Sequence, residues 1–186
     1  MQATPDDLLD FWFDPASEPF WFEKDDSFDA LCAERFGDMA EAALAGRLDH
    51  WADHEKAAGL GTLALVIALD QLPRNIFRSS PRCYAGDAAA LAHASAAIAA
   101  DVDRGWPEAR RAFLYMPFQH AEDLAVQERS VELFARLGRD TDWYKSAVQH
   151  RDIVARFGRF PHRNDILGRE STAEERAFLK EPGSSF

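Results

Sequence analysis

The sequence predicts an all-α protein, an antiparallel helical bundle or superhelix of eight or nine helices forming one domain over residues 1–186. Three observations carry this expectation. Apolar residues recur at i, i+3 and i+4 through most of the chain, and no segment keeps the apolar–polar alternation of a strand. The connections between periodic segments are short, which favours antiparallel neighbours. With 186 residues, 47% of them hydrophobic, the chain is long enough to bury a substantial core.

Taken in order, Pro5 with Asp6 and Asp7 opens a short helix carrying Leu8, Leu9 and Trp12. The aromatic connector FDPASEPFWFEKDD follows, its rings suited to pinning the chain onto a core. Asp25, Asp26 and Ser27 are candidate caps for a helix whose stripe is Phe28, Leu31, Cys32, Phe36, Met39, Ala43 and Leu44, ending at Gly46. Ala57 to Gln71 is apolar nearly all round and reads as a central helix covered on every side. Pro73 is expected to end or kink it near Leu72. Asp87 is expected to cap an alanine-rich helix reaching about Asp101. Trp106-Pro107 starts a helix through Met116, and others follow at about Phe118–Leu137 and Asp142–Phe157, the latter closed by Gly158. The stretch STAEERAFL carries a capping box, with Thr172 as cap and Glu175 reaching back. No repeat near 34 residues is evident.

Charge and composition exclude several functions. A formal net charge of −11 argues against nucleic-acid binding and against a polybasic membrane surface. The excess is confined to residues 1–57, with fifteen Asp/Glu against four Lys/Arg; residues 58–186 hold seventeen of each. Seventeen of the cations are arginine, the side chain suited to bidentate carboxylate or phosphate contacts. The start, MQATPDDLLDFWF, has the marks of no signal peptide, and the longest apolar run is too short for a membrane span. Cys32 and Cys83 offer neither a disulfide framework nor metal spacing. The expectation is a cytoplasmic protein without metal or cofactor.

Polar residues interrupt the apolar stripes. Asp70 and Gln71 sit on the central helix, and His120 and Gln127 follow Pro117. His150 shares a stripe with Trp143, Ala147, Val154 and Phe157. An unpaired buried polar group costs roughly 1–3 kcal/mol, so each needs a partner. An economical arrangement brings them together with Arg74, Asn75 and Arg78 from PRNIFR and with Arg159, His162, Arg163 and Asn164 from RFGRFPHRN. Asp70 and Arg74 form an i, i+4 pair if the helix persists. His162, Arg163 and Asn164 also fit an anion site at a turn. A purely structural role is open to every one of these residues, because buried Asp–Arg pairs and satisfied core histidines are common. Glycine-rich phosphate loops, zinc-protease helices and serine elbows are absent from the sequence.

The segments LDQLPRNIFR, PFQHAEDLAVQE and HRDIVARFGRFPHRNDILGRESTAEE, with LLDFWF and WFEKDDSFD before them, resemble the signatures of bacterial domain-of-unknown-function family 924 over nearly the whole chain. The resemblance implies an all-helical fold related to tetratricopeptide-repeat superhelices and no established activity. Members usually read His-Ser-Glu where this chain has His120-Ala121-Glu122, so chemistry through that serine is not implied here.

Three functions fit these residues. The first is a binding module whose Arg-lined pocket holds an anionic small molecule or an acidic peptide. The second is a helical scaffold for a protein partner, with a structural polar cluster and an exposed apolar groove. The third is an enzyme with His120 or His150 as acid/base, oriented by Asp70 or Glu122.

Overall fold

The computed structural model describes residues 3–53 and 59–185, and among them it is all-helical, with eight α-helices and no strand. The chain divides into two compact units, Met1–Pro117 and Phe118–Phe186. Among the described residues, no helix is long and apolar enough to cross a membrane.

The first unit is built around α3 (Leu60–Ile76), whose residues from Thr62 to Pro73 are all buried. The Ala57 and Ala58 expected at its start lie outside the described residues. Helices α1 (Pro5–Trp12), α2 (Asp26–Leu44) and α4 (Asp87–Ala99) pack on it. α1 begins with a capping box between Thr4 and Asp7, and α2 with Asp25 accepting from the Ser27 and Phe28 amides at 2.9 and 2.8 Å. The aromatic connector does pin the chain. Trp21 donates its indole N–H to the Trp12 carbonyl (2.8 Å), and its ring meets Phe113 edge-on at 4.8 Å.

Two expectations about α3 and α4 are corrected. Of the end or kink expected near Leu72, the end is not found, because the helix runs through Pro73 to Ile76. Burial on every side outweighs the lost amide bond, and the Leu69 carbonyl that Pro73 leaves without its helical donor is approached by Gly86. A β-carbon on Gly86 would lie only 2.0 Å from that oxygen. Asp87 does not cap α4 either. Gly86 holds the cap position, and the Asp87 carboxylate is engaged by Arg74.

The division between units falls at Pro117, inside α5 (Glu108–His120). A helix break at Pro117 was the sequence expectation. The break instead comes at residues 121–123, and Asp123 caps α6 (Leu124–Ala135) through the Val126 amide at 3.0 Å. His120 therefore ends one helix rather than starting another. In the second unit α6 packs against α7 (Asp142–Phe157), which Gly158 closes with a φ of 69°. A 3-10 turn at Pro161–Arg163 leads to α8 (Ala173–Phe178), opened by the Thr172–Glu175 capping box.

Candidate functional site

The polar residues that the stripes of the first unit pick out form two knots. Asp70 is fully buried, and Arg74 reaches it at 3.3 Å, the i, i+4 geometry that an unbroken α3 allows. Arg74 also donates to the Asp70 carbonyl (2.6 Å) and forks onto Asp87 at 2.8 and 3.1 Å. Burial opposes its charge, but Asp70 and Asp87 more than offset that and raise its pKa. Gln71 donates to the Asp70 carboxylate and lies 3.5 Å from the Met116 sulfur. The second knot is Asp29 of α2. It accepts from Asn75 at 2.8 Å and from Arg78 at 2.5 and 2.7 Å.

The second unit holds a different arrangement. His150, 3% exposed, has Nδ1 2.8 Å from the Ser146 carbonyl. A carbonyl only accepts, so Nδ1 carries the proton and Nε2 faces the Gln119 amide at 3.4 Å as acceptor. Gln119 also donates to the Ser146 hydroxyl (3.1 Å). Gln127 closes the end of α5, its amide donating to the carbonyls of Gln119 (2.6 Å) and Ala121 (2.7 Å). Glu122 accepts from the Phe160 amide (2.7 Å) and from both Arg169 terminal nitrogens (2.6 and 2.9 Å). Burial raises the proton affinity of Glu122, but the bonds from Arg169 and Phe160 overcome it and hold the carboxylate ionised. Arg169 also donates to Asn164 (2.9 Å), whose amide donates to Ser171 at 3.0 Å. Arg159 forks onto Glu175 at 2.7 and 2.9 Å and brings that carboxyl down to about 2.

Phe160, fully buried, is the centre around which the remaining candidates gather. The His150 ring lies 5.5 Å from it, the His162 ring 5.7 Å, and the Arg163 guanidinium 4.7 Å from its centroid. His120 sits 6.4 Å from His150, ring to ring. Burial pushes His150 down to about 3, helped by His120 and Arg163; burial and then Arg163 push His162 down to about 4. His150 and Arg163 are buried, whereas His120 and His162 are partly exposed. Three imidazoles and a guanidinium thus share one small volume, whose burial disfavours protonation of His150 and His162. Among the described residues no three of His, Cys, Asp and Glu come together as a metal site.

Residues 8–183 match a family described as "bacterial protein of unknown function (DUF924)". The chain belongs to this family. A solved structure of another protein of unknown function, from Agrobacterium tumefaciens, is similar to it with a TM-score of 0.87 and 45% identity, covering 95% of this chain and 96% of that one. No curated protein matches the chain.

For this family member, the sequence-derived candidates fall into two kinds. Asp70, Gln71, Arg74, Asn75, Arg78, Gln127 and Arg159 are tied by hydrogen bonds or ion pairs within their own unit. His120, His150, His162 and Arg163 form the cluster around Phe160, with Glu122 and Asn164 fixing the loop that carries it. Sequence reasoning missed Gln119, Ser146 and Arg169. Ser146 was detectable, because a residue four before a buried helical histidine shares its face.

Proposed function

We propose that this protein binds a small anionic molecule through His120, His162 and Arg163, with His150 and Asn164 behind them. The observation that supports this reading is the gathering of imidazoles and a guanidinium around Phe160, where burial first, and neighbouring basic groups after it, lower the proton affinity of His150 and His162. A negative group entering there meets the Arg163 guanidinium and gains charge-assisted hydrogen bonds. Arg74, Arg78 and Arg159 pair with Asp70, Asp87, Asp29 and Glu175, whereas Arg163 lies against the Phe160 ring among the histidines. The ligand is a small molecule rather than a nucleic acid, in keeping with a net charge of −11. A cytoplasmic setting belongs to the same reading, supported by two buried cysteines that form no disulfide.

Calorimetric titration with inorganic phosphate at pH 7 tests it. Saturable binding in the parent protein, weakened at least tenfold by Arg163→Gln and by the milder His162→Asn, is the expected result. Absence of binding, or binding that both variants keep at full strength, overturns the reading.

A further inference from the structure

α7 presents a second stripe that the histidine cluster does not use. Lys145, Val148, Gln149, Asp152, Ile153, Arg156 and Phe157 recur at spacings of three and four, which places them along one helical face. A face with Val148, Ile153 and Phe157 at its middle calls for cover. The cover comes from Phe178 at the end of α8 and from the chain at Pro182 and Gly183. Phe178 meets Phe157 with ring centroids 4.9 Å apart, and both rings pack on the cluster of Ile153, Val154 and Phe160. Gln149 ties the strap down by donating to the Gly183 carbonyl at 2.7 Å. Gly183 has a φ of +77°, a conformation that favours glycine.

The cover is incomplete. Between α7 and the strap remains a cavity of about 370 Å³, within the roughly 300–1,000 Å³ typical of small-molecule sites. Its lining combines an aromatic–aliphatic floor with a charged rim of Lys145, Arg156 and Asp152. The Arg156 guanidinium lies 4.7 Å from the Phe157 centroid and 5.7 Å from that of Phe178, and its Nε–H bonds Glu174 at 2.9 Å. A guanidinium has five N–H donors, and the Arg156 side chain is 47% exposed. Lys145 stands at the other end of the stripe, 2.8 Å from the fully exposed Asp142. Asp152, the acidic residue of the lining, is taken up by Arg151 at 2.6 Å.

We infer that this groove is a second binding site, for an organic anion with a flat aromatic or alicyclic body and one carboxylate or sulfonate. The body lies on Val148, Phe157 and Phe178, and the anionic group meets Arg156. The fit follows from the lining. An apolar floor without cations would suit a neutral hydrophobe, and cations without the floor would suit a bare inorganic ion. Here both line one groove, and none of His120, His162 and Arg163, which carry the proposed function, is among its lining residues.

The test uses two fluorescent probes on the full-length protein, 8-anilinonaphthalene-1-sulfonate and its uncharged relative N-phenyl-1-naphthylamine. The sulfonate is expected to bind saturably at one site at neutral pH, with unchanged circular dichroism. Val148→Trp, which fills the groove, abolishes binding of both probes. Arg156→Gln weakens the sulfonate about tenfold and leaves the neutral probe unaffected. Arg156 is half-exposed, so this second variant reads the site even if Val148→Trp fails to fold. No saturable binding, full binding in a folded Val148→Trp, or indifference of the sulfonate to Arg156→Gln each overturns the inference. Phosphate titration by the parent protein is unchanged in both variants if the two sites are separate.

Discussion

At the scale of single residues, the arginines of this protein differ in what surrounds them more than in their number. Arg74 faces a carboxylate with 1% side-chain exposure, whereas Arg82 and Glu41 pair with both side chains about half exposed. Removing one partner of a buried pair strands the other, at a cost of about 3–5 kcal/mol, while exposed pairs contribute about 0–1 kcal/mol. Arg74→Gln is therefore expected to lower the unfolding free energy by several kcal/mol in urea titrations, and Arg82→Gln to change it by less than about 1 kcal/mol. Equal effects would mean that Asp70 finds other support.

The histidines give a second test at this scale. In the unfolded chain they titrate near 6.5, and in the folded protein His150 and His162 lie at about 3 and about 4. Between these values the unfolded chain holds protons that the native state excludes. The stability they contribute is complete above about pH 6.5 and declines as the pH falls toward 4, by up to about 1.4 kcal/mol per pH unit for each residue. Urea midpoints measured from pH 7 to pH 5 should fall, and His150→Gln should reduce that slope by roughly half. A slope that does not change assigns the pH dependence elsewhere. Of the partners behind the arginine effects, only Asp70 could be read from spacing, as the i, i+4 neighbour of Arg74. The stripes flagged Asp70 and His150 as polar residues needing company, but Asp29, Asp87 and Glu175 are brought to their arginines by packing rather than by spacing.

At the scale of elements, glycines and prolines show where local propensity yields to packing. Gly86 lies against the Leu69 carbonyl with no room for a side chain, whereas Gly37, inside α2, has nothing within 4 Å of where its β-carbon would be. Gly86→Ala is expected to destabilise by about 1–3 kcal/mol through overpacking. Gly37→Ala should stabilise by about 0.5–1 kcal/mol, because alanine loses less backbone entropy in a helix. Opposite shifts in denaturation midpoint would bear out both environments, and shifts of the same sign would contradict the packing at Gly86. The amphipathic helices α2 and α7 and the capping box of α8 were legible because their signals are local. Pro73 and Pro117 misled for the complementary reason. Both are buried inside helices whose surroundings hold them together, and a proline's local penalty of about 3 kcal/mol is small against a helix face of buried side chains. The groove on α7 was invisible in the sequence because its cover comes from residues 178–183, about thirty positions on.

At the scale of the molecule, charge separates the two units. Residues 1–117 hold twenty acidic against ten basic side chains, and residues 118–186 twelve against eleven. Anion binding by the second unit is compatible with that balance. Family membership and the Agrobacterium structure fix the fold without assigning an activity, so the division of labour among the arginines is the central claim. Its most direct test is thermal unfolding of the parent protein, Arg78→Gln and Arg163→Gln, each with and without millimolar inorganic phosphate. Arg78→Gln is expected to melt several degrees lower, since about 1 kcal/mol corresponds to roughly 2–4 °C in a chain of this size, and to keep the full phosphate-induced rise. Arg163→Gln is expected to lose that rise. A phosphate response abolished by Arg78→Gln and retained by Arg163→Gln would contradict the account and move the site to the first unit.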